Sequence, residues 1–304
     1  MTTSQPTSPP DLADFITTDL LREQIAFACL EDTGPARLDI TSASLLPADA
    51  VGHATLRARK PGALAGAALL NLIAEVYDPA ITVKHVRRDG DSLAAGSDIA
   101  YLAGPLQSLM AMERVALNYL TFLSGIASLT ARFVAACEGT RARIYDTRKT
   151  VPGLRALSKY AVVAGGGCNH RIGLYDAVLV KDNHLAFIDA GDWTARLSAA
   201  VASCKNRTPA PAFIEVEIDR IDDLPAVLAA DVDIVLCDNM GPDLLRKAVA
   251  IRNELAPQTQ LEASGGVNLD TVTAIARTGV DRIAIGALTH SAPTLDIGMD
   301  IDEA

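Results

Sequence analysis

From residue 141 onward the chain alternates short apolar runs with helical patterns, and this alternation restricts its fold more than any other feature. The runs are RARIYD (141–146), AVLVK (177–181), FIEVE (213–217), DIVLCD (233–238), TQLEAS (259–264) and RIAIG (282–286). Helical spacing separates the later ones, over 241–255 and 269–277. A strand–helix–strand rhythm builds parallel βαβ units. Strands that are apolar almost throughout belong to a sheet covered on both faces or closed into a barrel. The expectation is therefore an α/β protein with an (α/β) barrel.

The segment before it has a different rhythm. Helical spacing over 20–30, an alternating strand VGHATLRARK, an Ala/Leu helix over 66–77 and short strands joined by Asp89-Gly90 and Ala95-Gly96 turns suggest an α+β domain. Two long helices follow in the pattern, over 106–123 and 126–137. The predicted domains are 1–120, with the tail 291–304 expected to pack on it, and a catalytic domain over 121–290. The first 15 residues are polar and rich in Pro, Ser and Thr, with no basic or apolar leader segment, and read as a loose tail. Five scattered cysteines without CxxC spacing fit reduced thiols in a soluble cytoplasmic protein, most of them buried.

The ends of the predicted strands carry the chemistry. They deliver Asp146 with Arg148 and Lys149, then Lys181, Glu217, Asp238, Ser264-Gly265-Gly266 and Gly286. In an α/β barrel the C-terminal strand ends and the loops after them build the active site. A single such residue is more simply turn punctuation; six in succession are not. Charge sharpens the point. The chain carries a net charge of −10, yet the window 141–184 holds eight Lys or Arg against three Asp. That excludes a broad nucleic-acid surface and points to a small ligand with two or more negative charges. Arg148, Lys149, Arg171 and Lys181 are the candidate cations. Arg155 and Lys159, four apart on a predicted helix, read instead as a solvated, salt-bridged face.

Glu217 and Asp238 end neighbouring runs, where paired carboxylates can hold ribose hydroxyls or a divalent cation. Glu215 shares the pleat of Glu217, and the spacing does not choose between them. The SGG at 264–266, ahead of a helix expected near Leu269, offers amides to a phosphate. The GGG at 165–167 reads as a helix stop. His170 lies among the basic residues, but no histidine pair has the helical spacing of a metal site. Cys168, in a glycine-flanked loop with no partner base, is an incidental thiol.

The block DTRKTVPGLRALSKYAVVAGGGCNHRIGLYDAVLVKDNH resembles the signature region of quinolinate phosphoribosyltransferases. The likeness continues in order through EDTGPARLDITSASLLPADA, MERVALNYLTFLSGIASLTARFV, IEVEID, LCDNM, LEASGGVNLDTV and IAIGALTHSAPTLDIGMD, covering about 20–300. It implies an N-terminal α+β domain followed by an incomplete TIM-like barrel, and a homodimer with shared active sites. The implied reaction joins quinolinate to 5-phosphoribosyl-1-pyrophosphate (PRPP) with Mg²⁺. Carried over by motif, Arg148, Lys149, His170, Arg171 and Lys181 would bind the quinolinate carboxylates, with Arg114 reaching in from the other subunit. Glu217 and Asp238 would hold the ribose and stand as candidate ligands to a metal carried mainly by PRPP. Ser264, Gly265, Gly266, Gly286 and His290 would hold the 5-phosphate, and Lys149, Lys181, Glu217 and Asp238 would form the catalytic group.

One departure is Leu38 in RLDIT, where the family pattern has glycine. Two other classes compete. A related protein of molybdate-transport operons shares the TRKT and GGG blocks but is disfavoured by VKDNH. A Schiff-base aldolase would use Lys181 as a nucleophile at a strand end.

Overall fold

A computed structural model describes residues 10–188 and 191–302. In chain order the elements are α1 (Thr18–Thr33), α2 (Ile40–Leu45), β1 (Val51–Ala58), β2 (Gly62–Ala63), α3 (Leu70–Tyr77), β3 (Thr82–His85), β4 (Ser92–Leu93), β5 (Asp98–Pro105) and α4 (Leu106–Ala136). There follow β6 (Arg143–Tyr145), α5 (Arg155–Ala164), β7 (Val178–Val180), α6 (Asp182–Leu185), α7 (Trp193–Lys205), β8 (Ile214–Ile218) and α8 (Leu224–Ala229). The chain ends with β9 (Ile234–Asp238), α9 (Pro242–Leu255), β10 (Gln260–Ser264), α10 (Val272–Ala276), β11 (Arg282–Ala284), α11 (Ala287–His290) and β12 (Ile297–Ile301).

Two compact units emerge. The first takes residues 1–131, 151–166 and 288–304; the second takes 132–150 and 167–287. In the first, an antiparallel sheet runs β12-β1-β5-β3, with a small β2-β4 pair. The C-terminal strand joins it directly, Ile297 opposite Ala58 and Ile301 opposite Ala54. The run 151–166 also belongs to this unit: Tyr160 donates to Asp89, whose carboxylate also accepts the Ala67 and Ala68 amides at 2.8 and 3.2 Å.

Three expectations need correction here. Residues 126–137 are not a separate helix, because α4 runs unbroken from Leu106 to Ala136. Gly125 does not stop it; a Cβ there would lie 2.9 Å from Thr294 Cα and closer still to the Pro293 carbonyl oxygen. The glycine marks a close backbone approach. Lys159 is not on a solvated face but is 1% exposed. The tail residues 1–9 lie outside the described chain, but the part that follows is ordered: Asp11 caps a 3-10 turn at Leu12–Asp14, and the Phe15 ring meets Tyr160 edge-on at 5.6 Å. By length and composition α4 could cross a membrane. Its stripe Leu109, Met112, Ala116, Leu120 and Leu123 is instead completely buried within the first unit.

The second unit is a six-stranded parallel sheet, β6-β11-β10-β9-β8-β7. Taken as a ring, its strands follow chain order and leave one opening, between β6 and β7. This is the incomplete barrel. Cys168 makes an isolated parallel bridge to Tyr145 beside that opening. Parity assigns the faces. Val216, Ile218, Val235, Cys237, Leu261, Ala263 and Ile283 alternate with the polar residues and are buried, as expected beneath covering helices.

In an exposed helix Gly→Ala gains about 1 kcal/mol. Gly125→Ala should reverse that sign and lose about 1–3 kcal/mol through overpacking against 293–294. The urea midpoint of unfolding checks it, and a rise would contradict the close approach.

Candidate active site

The register of the parallel sheet sets the site. Glu215 stands opposite Ile234, Glu217 opposite Leu236, Glu262 opposite both Leu236 and Arg282, and Ser264 opposite Asp238. All have one parity, so all share one face. Glu215 on β8 and Glu262 on β10 are separated by β9, about 9–10 Å across the sheet. Yet their carboxylates and the His170 ring bring ligand atoms within 4.8 Å of one another. Side chains two strands apart converge this way only on the concave side of a curved sheet. The polar face is the barrel interior, where most α/β barrels pack branched apolar residues.

Four side chains fill that interior. Arg282 Nε donates to Glu262 Oε2 at 2.7 Å, and its guanidinium lies 3.6 Å over the centre of the Tyr145 ring. His170 Nε2 is 2.8 Å from Glu215 Oε2 and 3.5 Å from Glu262 Oε1. Phe213 meets the His170 ring edge-on at 5.4 Å. Burial opposes ionisation of Glu262, but His170 and Arg282 outweigh it and hold its carboxyl below the ordinary range. Burial, then the Glu262 charge, raises Glu215. For His170, burial favours the neutral ring while the two carboxylates pull its pKa up to about 9. The Arg171 amide decides the resting form: it donates to Nδ1 at 2.7 Å, which requires a bare Nδ1 and leaves the proton on Nε2. The interior therefore holds one ion pair, Glu262–Arg282, beside the His170 ring, whose Nε2 lies 2.8 Å from Glu215 Oε2. The ligand geometry resembles a metal cluster, but a protonated Nε2 is a donor, and Arg282 already supplies the cation that Glu262 requires.

The loop carrying His170 and Arg171 is held at both ends. Asp146, fully buried after β6, accepts from the His170 amide at 2.8 Å and Asn169 Nδ2 at 2.7 Å. Asp176 accepts from the amides of Ile172 and Gly173 at 2.7 and 2.8 Å. Arg171 is half-buried and donates to the Ala177 carbonyl at 3.3 Å. Burial, and then the nearby Arg148 charge, lower its pKa. Arg148 Nε is itself buried without a hydrogen-bond partner. Arg171 thus feels the Arg148 charge, and the unsatisfied N–H of Arg148 is one that an anion would complete.

The remaining expected residues are distributed as follows. Lys149 is exposed, with its amide on Thr147 Oγ1 at 3.1 Å. Lys181 Nζ forms an ion pair with the half-buried Glu217. An amine engaged in that ion pair is not presented as a free nucleophile, which weighs against the aldolase reading. Asp238 is half-buried and accepts from Asn239 Nδ2 at 2.8 Å. Gly265 and Gly266 have φ of +93° and +63°. A Cβ on Gly265 would lie 2.9 Å from the Asn239 amide nitrogen and within the Asn239 side chain. The helix expected near Leu269 begins only at Val272, after an Asn268 turn, so the amides near SGG belong to the glycine turn and not to a helix end. Gly286 is half-buried just ahead of α11. Arg114, on α4, and His290, at the end of α11, are exposed and belong to the first unit. Burial pushes up the Cys168 thiol pKa, which suits an inert thiol.

Sequence reasoning left out Glu262, Arg282 and the anchoring role of Asp146. Their signal was parity: Glu262 is two residues before Ser264, as Glu215 is two before Glu217.

The chain matches two family models, quinolinate phosphoribosyl transferase N-terminal domain over residues 39–124 and C-terminal domain over residues 126–300. It is 41% identical over 286 residues to the carboxylating nicotinate-nucleotide pyrophosphorylase of Mycobacterium leprae, covering 93% of this chain and 98% of that one. A probable enzyme of the same name from Bacillus subtilis is 40% identical, with 90% of each chain covered. The solved nicotinate-nucleotide pyrophosphorylase of Ehrlichia chaffeensis superposes with a TM-score of 0.84 at 35% identity, covering 94% of this chain and 99% of that one. That of Francisella tularensis gives 0.84 at 32% identity, covering 96% and 99%.

Removing Arg282 alone, as in Arg282→Met, strands Glu262 as a buried charge and should cost about 3–5 kcal/mol. The double variant with Glu262→Leu should recover most of that loss in chemical denaturation. Equal losses would contradict the ion-pair assignment.

Proposed function

The chain belongs to the quinolinate phosphoribosyl transferase family, and on that footing we propose that it makes nicotinate mononucleotide in de novo NAD biosynthesis. Quinolinate and PRPP are the substrates; pyrophosphate and CO₂ leave. The observation that carries the reading is the Arg148–Arg171 pair, in which Arg171 feels the Arg148 charge and Arg148 has an unsatisfied buried N–H, suited to a dicarboxylate.

The residues present suit this chemistry. The pyridine nitrogen attacks the anomeric carbon as its bond to pyrophosphate breaks, and a ring nitrogen with a free lone pair requires no general base. Glu217 and Asp238 are placed by parity on the interior face and would hold the ribose hydroxyls. The same carboxylates are hard oxygen donors that fit Mg²⁺. When bound, Mg²⁺ would neutralise the diphosphate leaving group. The glycine turn at 265–266 would take the 5-phosphate together with Ser264, Gly286 and His290. Once the ring nitrogen is cationic, the adjacent carboxylate can leave as CO₂, and the resulting carbanion takes up a proton. Lys149, Lys181, Arg148 and Arg171 contribute positioning and charge.

We also place the protein in the cytoplasm as a homodimer with Arg114 completing the partner's site. In support, Arg114 is exposed, and α1 and α4 of the first unit line a groove of about 930 Å³ with Phe27 68% exposed beside it.

The first test supplies quinolinate, PRPP and Mg²⁺ and follows mononucleotide and CO₂ together. Equal amounts of both, with no mononucleotide from nicotinate, are expected; a folded dimer that yields neither would end the proposal. The second mixes two inactive variants, Lys149→Ala and Arg114→Ala. A shared site restores activity to about a quarter of the wild-type level, because half the dimers are mixed and each then has one intact site. No recovery would place Arg114 in its own subunit's site or outside any site.

A further inference from the structure

The Glu215–Glu262–Arg282 cluster is larger than stability requires. An apolar core of the same volume would serve as well or better, since buried ion pairs are often replaceable by hydrophobic residues without loss. The cluster is also directional. Arg282 is seated on Tyr145 and aims Nε at Glu262 Oε2 at 2.7 Å. Glu262 turns its other oxygen to His170 Nε2 at 3.5 Å, and Glu215 meets the same nitrogen at 2.8 Å. Both acidic side chains are fully buried. On the opposite side of the ring, Nδ1 accepts the Arg171 amide at 2.7 Å. Both carboxylates thus converge on one imidazole, whose other nitrogen meets the backbone of the next residue, and that residue carries a half-buried guanidinium close enough to Arg148 to feel its charge.

We propose that Glu215, Glu262 and Arg282 are positioning residues for the quinolinate site. They fix the His170 ring in one orientation, and His170 in turn holds the Arg171 peptide so that its guanidinium meets a substrate carboxylate. This rests on the functional reading above and assigns His170 an indirect role within it. The barrel floor, which contacts no substrate, would then set affinity for quinolinate while leaving PRPP unaffected. Without the Glu215 carboxylate the ring can turn, and the Arg171 amide then loses its contact with Nδ1. An ångström of displacement at a bidentate contact is worth about a hundredfold.

The test compares wild type, Glu215→Leu and Glu215→Gln. Quinolinate and PRPP affinities are measured by calorimetry, and the protonation of the His170 nitrogens by ¹⁵N NMR on labelled protein. Wild type should show a bare Nδ1 and a protonated Nε2. Glu215→Leu should lose that signature and weaken quinolinate binding at least about tenfold, with PRPP affinity within about twofold. Glu215→Gln retains an acceptor for Nε2–H and should restore both. Should Glu215→Leu fail to fold, Glu215→Asp, which keeps the charge but draws the carboxylate back from Nε2 by one methylene, asks the same question and should show the same split. Unchanged quinolinate affinity in a folded variant that has lost the His170 signature would overturn the proposal, and so would parallel weakening of both ligands. Failure of wild type to bind quinolinate would instead sink the functional reading, while the NMR arm would still report whether the cluster orients the ring.

Discussion

The polar interior of the barrel is organised around the 2.7 Å bond between Arg282 and Glu262. Parallel strands normally converge on branched apolar side chains; here they converge on charge, which is tolerable only because a cation and an anion arrive from adjacent strands in register. Beside that pair the His170 ring lies 2.8 Å from Glu215 and is buried, 8% exposed. The outer face is apolar throughout, and Ile234 and Leu236 share the inner one with the carboxylates, which accounts for strands that read as apolar while enclosing a charged cluster.

The first-unit and second-unit contributions to the proposed chemistry differ in kind. The second unit presents fixed groups: the loop pinned by Asp146 and Asp176, the Lys181–Glu217 ion pair, and the glycine turn locked against Asn239. The first presents exposed ones, Arg114 and His290. Rigid donors suit a reaction in which charge shifts between atoms of the substrate, because preorganised groups need not reorient as it proceeds.

Much of this was legible in the sequence. Period-two alternation in FIEVE and TQLEAS, and the charged ends of the runs, located the barrel and its rim, since a strand ending in a parallel sheet exposes its last side chains to the loops. What stayed hidden needed register or distance. Glu262 and Arg282 lie inside apolar-looking runs, and only the pairing of β10 with β11 shows that they neutralise each other. Gly125 looked like a helix break because the chain that crowds it, at 293–294, is remote in sequence. Lys159 looked solvated because amphipathic spacing gives no sign that 151–166 is part of the first unit. His170 was placed among the anion ligands by the motif's resemblance; only the folded structure shows that its ring nitrogens face Glu215 and the Arg171 amide.

The ring order of the strands bears on how the polypeptide matures. β6 emerges first and its strand partner is β11, so Ile144 waits about 140 positions for Ile283, a long-range closure of the kind that slows folding. During synthesis β7 to β10 can assemble as each appears, but until residue 282 leaves the ribosome their concave side presents two carboxylates with no guanidinium to match them. That intermediate must stay hydrated. Dehydration of the barrel interior is thereby tied to the arrival of its last strand, and a nascent chain halted before β11 holds an open, wet sheet for chaperones or proteases to find.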